Sequence, residues 1–235
     1  MQLWLCPLFA FLLGSVPFGL IIAKLKGIDI RAHGSGNIGA TNVLRVVGKK
    51  YGITCLILDA LKGYLPVAVA ITLIRYEGQE NPMEIDSLTA WGTVLPAGQQ
   101  WLAQLLQVLC GLAAILGHNY SPWVGFKGGK GIATSAGVLI ALAPAAVVIL
   151  LLVWLILFFT TRYVSLASIG AAAVLPPLIL FGSWFHGKLA AGTWNKPLLV
   201  FSIVIAALAI WKHRSNLQRL RDGTEHRFSR KSKNA

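Results

Sequence analysis

Long apolar stretches alternate with short polar segments along the whole chain. The runs Leu3–Ala23, Gly52–Ile74, Trp101–Leu116, Ile132–Phe159, Leu166–Phe185 and Leu198–Trp211 are dominated by Leu, Ile, Val, Ala and Phe. Such runs predict membrane-spanning helices, which satisfy their backbone hydrogen bonds internally where no water can do so. Pro7 and Pro17 are expected to bend the first run. The run Ile132–Phe159 is too long for one simple span and contains Pro144.

The polar segments set the direction of threading. Lys24 and Lys26 follow the first run, which places the N-terminus outside and these lysines in the cytoplasm. Glu77, Glu80, Glu84 and Asp86 make the segment between residues 77 and 86 acidic, as suits an external loop, and Trp91–Gln100 reads as interfacial. If Ile132–Phe159 were a single helix, the tail bearing Lys212, Arg214, Arg219, Arg221, Arg227, Arg230, Lys231 and Lys233 would end outside, against the positive-inside rule. Breaking the run at Pro144 into two short antiparallel helices returns Arg162 and the tail to the cytoplasm. The expectation is an all-α polytopic bundle of about seven transmembrane helices with the N-terminus outside and the C-terminus cytoplasmic. It forms one domain over residues 1–235, with a disordered tail at 226–235. Met1 and Gln2 supply no basic n-region, so the first run reads as a retained helix, not a cleaved signal.

Composition agrees: 56% of the residues are hydrophobic and 12% charged, where a soluble domain carries roughly 25% charged residues. The net charge of +13 follows chiefly from cytoplasmic retention of Lys and Arg, with a remainder available for anionic substrates. Nucleic-acid binding is not implied. Cys6, Cys55 and Cys110 stand singly in apolar runs, without metal-ligand spacing.

The candidate chemistry lies in polar motifs that the threading gathers on one membrane face. GHNYSPWVGFKGGKGIAT, Gly117–Thr134, packs His118, Asn119, Lys127 and Lys130 among glycines, a composition suited to an anion-binding loop. It fails as a nucleotide phosphate loop, because Gly131 stands where Ser or Thr must hold magnesium. GSGNIGATN, Gly34–Asn42, matches a dinucleotide fingerprint only formally, since a membrane helix precedes it where a buried strand is required. What it offers is flexible backbone near an anion, hydrogen-bonding Ser35, Asn37, Thr41 and Asn42, and the guanidinium fork of Arg45. Asp59 and Lys62 lie three residues apart inside a span and are expected to face a polar cavity or each other. In HRSNLQRLRDGTE, His213–Glu225, helical periodicity puts His213, Asn216 and Arg219 on one face. Arg162, Tyr163 and Ser165 form a smaller set. His118 and His213 are the candidate acid–base groups. There is no carboxylate cluster for a catalytic metal and no GxSxG elbow.

Five motifs in order, GSGNIGATN with Arg45, LDALKG at Leu58–Gly63, GHNYSPWVGFKGGKG, RYVS at Arg162–Ser165 and HRSNLQRLRDGTE, resemble the bacterial acyl-phosphate-dependent glycerol-3-phosphate acyltransferases over nearly the whole chain. The resemblance implies an integral plasma-membrane enzyme with its active site on the cytoplasmic face. It would transfer an acyl group from acyl phosphate to the first hydroxyl of glycerol 3-phosphate, giving lysophosphatidic acid and phosphate. It implies catalytic roles for Ser35, Arg45, Lys127, His213 and Asn216, and substrate binding by Asn37, Asn42, Lys62, His118, Lys130, Ser165, Arg219, Gly36, Gly128 and Gly129. No metal, cofactor or obligatory protein partner is expected, and membrane lipid surrounds the bundle. The thioester-type pattern of His followed five residues later by Asp is absent. Replacing Lys127 or Lys130 by Ala is expected to abolish turnover without unfolding.

Two other classes fit parts of the pattern. A transporter of phosphate or organophosphate anions would use intramembrane Asp59 and Lys62, but should carry its polar groups at the midplane between repeats. A lipid-headgroup scaffold accounts for the basic tail but not for the glycines.

Overall fold

A computed structural model of the chain describes residues 3, 5–79 and 83–228. Helices α1 (Leu5–Gly14) and α2 (Phe18–Lys24) make up the first span, with the break just ahead of Pro17. Pro7 lies in the first turn of α1, where a missing N–H costs nothing, and does not interrupt it. A short helix α3 (Ala40–Val46) precedes α4 (Lys49–Leu73), whose 25 residues reach about 37 Å at 1.5 Å per residue. Helix α5 (Gln100–Asn119) extends further than the sequence implies, taking Gly117–Asn119 into its last turn.

Helices α6 (Ile132–Leu142) and α7 (Pro144–Thr161) are separated at Ala143, which is driven out of the helical region (φ −153°, ψ 65°) by the proline after it. The break thus falls at Pro144, as expected. Helix α8 (Val164–Phe185) follows, then α9 (Lys196–Lys212) and α10 (Arg214–Arg221), set at 51° to each other. Among the described residues five spans are long and apolar enough to cross a membrane, or six with the bent α9–α10 pair, and α6 is a shorter apolar helix between two of them.

Beyond the helices, strands β1 (Ile74–Tyr76) and β2 (Thr93–Leu95) pair in parallel and gather the segment after α4 into a small cap. Gln107 on α5 donates to the carbonyl of Ile74 at 2.7 Å, and Arg75 lies 4.0 Å from Glu84. Glu80 of the acidic stretch lies outside the described residues, as do residues 229–235 of the expected tail. Residues 226–228 are described, and the Phe228 ring packs edge-on to Phe158 of α7.

Helix α4 packs against α1, α5 and α6. Its approach to α6 passes through Gly63 and Gly137, where a methyl group would overlap the carbonyl oxygens of Thr134 and Ala60 respectively. Val67, Ile71, Ile115, Val138, Phe201 and Ile205 fill the space between α4, α5, α6 and α9. Helix α7 lies outermost and turns Val148, Leu152, Ile156 and Phe159 outward, which suits hydrocarbon and not water.

Candidate active site

A cavity of about 540 Å³ opens between α3, the start of α6, α7, α8, α9 and α10. One end is polar, with Ser35, Arg45, Lys130, His213, Asn216, Arg219 and Glu225. The rest is apolar, walled by Leu139, Val147, Leu150, Leu175 and Ile205. Such a shape accepts an anion at one end and a hydrocarbon chain along the other.

The polar end is assembled from distant segments. Gly131 adopts a left-handed conformation (φ 82°) that starts α6 immediately beside Lys130. The first-turn N–H groups of α6 have no carbonyl ahead of them in the helix, so this end favours an anion. Lys130 donates to the amide oxygen of Asn216 on α10. Burial draws its ammonium down to about 8, with Glu225 acting in the opposite sense. Asn216 also donates to Glu225 Oε1 at 2.7 Å, Ser165 Oγ donates to the same oxygen at 2.7 Å, and Arg219 Nε donates to Oε2 at 2.8 Å. Burial would push the Glu225 carboxyl up, but these three hydrogen bonds hold it below the ordinary range.

His213 stands at the α9–α10 bend, 3% exposed, with Nδ1 at 2.8 Å from the carbonyl of Ala209. A carbonyl only accepts, so Nδ1 carries a proton, and in the neutral ring Nε2 is left with its lone pair. His213, Asn216 and Arg219 all line the cavity, as the helical periodicity requires.

Other expected site residues are engaged differently. Asn42 lines the cavity, yet its amide oxygen accepts from the N–H of Ser35 at 2.9 Å and its nitrogen donates to the carbonyls of His33 and Ile30 at 3.0 and 3.3 Å. It braces the loop. Asn37 accepts from the N–H of Gly39 at 2.8 Å, ordering the entry into α3. Lys62 is outside the main cavity, ion-paired to Asp59 at 2.7 Å and donating to the carbonyl of Val16 at 2.7 Å, so it ties α4 to the break in the first span. His118 lines the cavity with Nδ1 at 3.7 Å from Asp59 Oδ1.

Gly128 and Gly129 donate their N–H groups to the carbonyls of Asn119 and His118 at 3.2 and 3.1 Å, so these two N–H groups are directed to α5 and not into the cavity. A methyl on Gly129 would overlap the His118 ring, and one on Gly128 the His118 carbonyl. Gly36 takes φ 67° in the first loop and lies outside the cavity wall. Lys127 is exposed and also lies outside that wall. Glu225, which has no role among the expected site residues, is the acceptor joining α8 to α10. Its signal was an acid ending a basic motif that also holds Asp222. Among the described residues no group of His, Cys, Asp and Glu could hold a metal ion.

Residues 4–223 match the family model of glycerol-3-phosphate acyltransferases. The chain is 44% identical to a glycerol-3-phosphate acyltransferase of Aquifex aeolicus, covering 94% of this chain and 96% of that one. It is 47% identical to one of Geobacter metallireducens, covering 93% and 94%. The fold is similar to the crystal structure of PlsY, an integral membrane glycerol 3-phosphate acyltransferase, in its glycerol 3-phosphate form, with TM-score 0.75 and 41% identity over 97% of this chain and 96% of that one. The lysophosphatidic acid form of PlsY gives TM-score 0.73 over the same shares. The chain belongs to the glycerol-3-phosphate acyltransferase family.

Proposed function

We propose that the protein transfers a fatty acyl group from acyl phosphate to the sn-1 hydroxyl of glycerol 3-phosphate, giving lysophosphatidic acid and inorganic phosphate. One cavity that joins a cationic mouth to an apolar depth carries this reading, because both substrates carry phosphate and one of them also carries a hydrocarbon chain. Family membership supports the acceptor.

Acyl phosphate is a mixed anhydride whose phosphate leaves readily, so the protein has mainly to align a hydroxyl with the carbonyl and stabilise developing negative charge. Arg45, Lys130, the start of α6 and Arg219 supply that charge, with Ser35 as a donor at the mouth. Lys127, on the exposed surface of the loop, adds to the field that draws anions inward. The hydroxyl oxygen bonds to the acyl carbon, the bond from that carbon to the phosphate oxygen breaks, and the hydroxyl proton passes to a phosphate oxygen of the substrate. His213 Nε2 accepts from the acceptor's hydroxyls and positions them. The lipid product leaves along the apolar wall into the inner leaflet. The N-terminus lies outside and the C-terminus inside, with the mouth facing the cytoplasm of a bacterial plasma membrane, because Lys and Arg gather at that face.

The decisive assay supplies purified protein with palmitoyl phosphate and radiolabelled glycerol 3-phosphate, without coenzyme A or carrier protein. Labelled lysophosphatidic acid is the expected product. Product formed only from palmitoyl-coenzyme A or palmitoyl carrier protein would refute the choice of donor.

A further inference from the structure

The chain beyond the family match, which ends at residue 223, crosses the mouth of the cavity as a strap. The N–H groups of Thr224 and Glu225 donate to the carbonyl of Arg219 at 2.8 and 3.1 Å, and Glu225 is held by Ser165, Asn216 and Arg219. Four residues after Thr224, Phe228 donates its N–H to the carbonyl of Arg162 at 3.0 Å. Its ring meets Phe158 edge-on at 5.7 Å, and Phe158 in turn stacks on Trp154 of the cavity wall at 5.1 Å. Phe228 is thus fixed by its backbone and by its ring.

Arg45 lies over that fixed ring, with its guanidinium carbon 5.8 Å from the centroid. Among the described residues its guanidinium has no hydrogen bond and no ion pair, while the oxygens of Glu225 accept from Ser165, Asn216 and Arg219. A guanidinium on a long flexible side chain loses rotamer freedom when it binds an anion, and pre-ordering it lowers that cost. An ion pair would order it but would occupy donors and cancel charge. An aromatic face orders it through the flat side of the group and leaves the N–H edge open.

We propose that Phe228 is a positioning residue for Arg45, holding the guanidinium at the cavity mouth with its N–H donors free for a substrate phosphate. This rests on the reading of Arg45 as a phosphate-binding group. The aromatic ladder from Trp154 through Phe158 to Phe228 joins the wall of the apolar depth to the group that meets the anion.

The test is calorimetric binding to the purified full-length protein in detergent, with two probes: glycerol 3-phosphate, and a non-transferable long-chain acyl phosphonate. Phe228→Leu keeps apolar packing on Phe158 but removes the aromatic face. It is expected to weaken at least one probe by about two- to five-fold, the range of an exposed cation–π contact. Phe228→Tyr is expected to retain the affinity, and in an Arg45→Ala background Phe228→Leu should cause no further loss. Wild-type affinity of Phe228→Leu for both probes, failure of Tyr to substitute, or the same loss with Arg45 already removed would each overturn the proposal. If Arg45→Ala itself binds both probes normally, the reading of Arg45 fails first and the inference with it. Melting temperatures accompany every variant, and Phe228→Met replaces Phe228→Leu if the latter does not fold.

Discussion

The ammonium of Lys130 is hydrogen-bonded to the amide oxygen of Asn216, 86 residues further along the chain. This contact joins the glycine-rich loop to α10 and sets the spacing of two anion-facing groups before any substrate arrives. Lys130→Ala is therefore expected to lower kcat/KM by about 10- to 100-fold, the worth of a charge-assisted hydrogen bond, with little change in melting temperature. For Lys127→Ala the structure revises the expected abolition of turnover: its side chain is in the same loop but exposed and outside the cavity wall, so the loss is expected to be several-fold less. Steady-state kinetics on both variants at fixed salt measure the difference.

Lys130 is also expected to set the alkaline limb of activity. Its ammonium titrates at about 8 in the unliganded protein, so it is cationic below that pH and neutral above it. With the cation proposed to hold the substrate phosphate, kcat/KM should fall as pH rises through about 8. A bound phosphate favours the cation, so the corresponding limb in kcat should lie at higher pH. Lys130→Arg keeps its charge throughout this range and should remove the limb even where it lowers the rate. A limb unchanged in Lys130→Arg would assign the titration to another group.

Glu225 has a structural part that separates from charge at the mouth. Glu225→Ala leaves Ser165, Asn216 and Arg219 without their shared acceptor, a loss of about 2 kcal/mol that should lower the melting temperature by roughly 5 °C. Glu225→Gln retains an oxygen for Ser165 and Asn216 and should recover much of that stability. Thermal unfolding in detergent distinguishes the two variants.

The glycines of the loop make a further contrast. At Gly128 an added methyl meets the backbone carbonyl of His118, which cannot rotate away, whereas at Gly129 it meets the His118 ring. Gly128→Ala should therefore raise KM for the phosphate substrates more than Gly129→Ala does. In Gly129→Ala, replacing His118 by Ala should recover part of the loss by making room. No recovery in the double variant would mean that the overlap at His118 is not what disturbs the loop.

Much of the fold was legible because a bilayer makes long apolar runs unambiguous, and because the tail's basic residues forced a break at Pro144, where Ala143 leaves the helix. The pair β1–β2 was not legible, since Ile74–Tyr76 and Thr93–Leu95 are three residues each and are parted by an acidic stretch. The site was legible as a set of segments but not as a set of contacts. Lys127 and Lys130 look alike in the motif, and what separates them is the left-handed turn at Gly131, which carries Lys130 into the cavity wall as α6 begins. Asn42 and Lys62 looked like ligand-binding groups, yet their polar atoms are taken up by the backbone and, for Lys62, by Asp59 as well. Glu225 was hidden because an acid in a basic tail carries no period, and its partner Ser165 is 60 residues away.

The most direct measurement is a crystal structure of the protein with a long-chain acyl phosphonate and glycerol 3-phosphate bound together. The expected result places the alkyl chain along Val147, Leu150 and Leu175, with both phosphorus groups at the mouth among Arg45, Lys130 and Arg219, and the sn-1 hydroxyl facing the acyl carbon. An alkyl chain lying outside the cavity on the lipid-facing surface, or a phosphonate bound away from Lys130 and Asn216, would contradict a single cavity in which both substrates react.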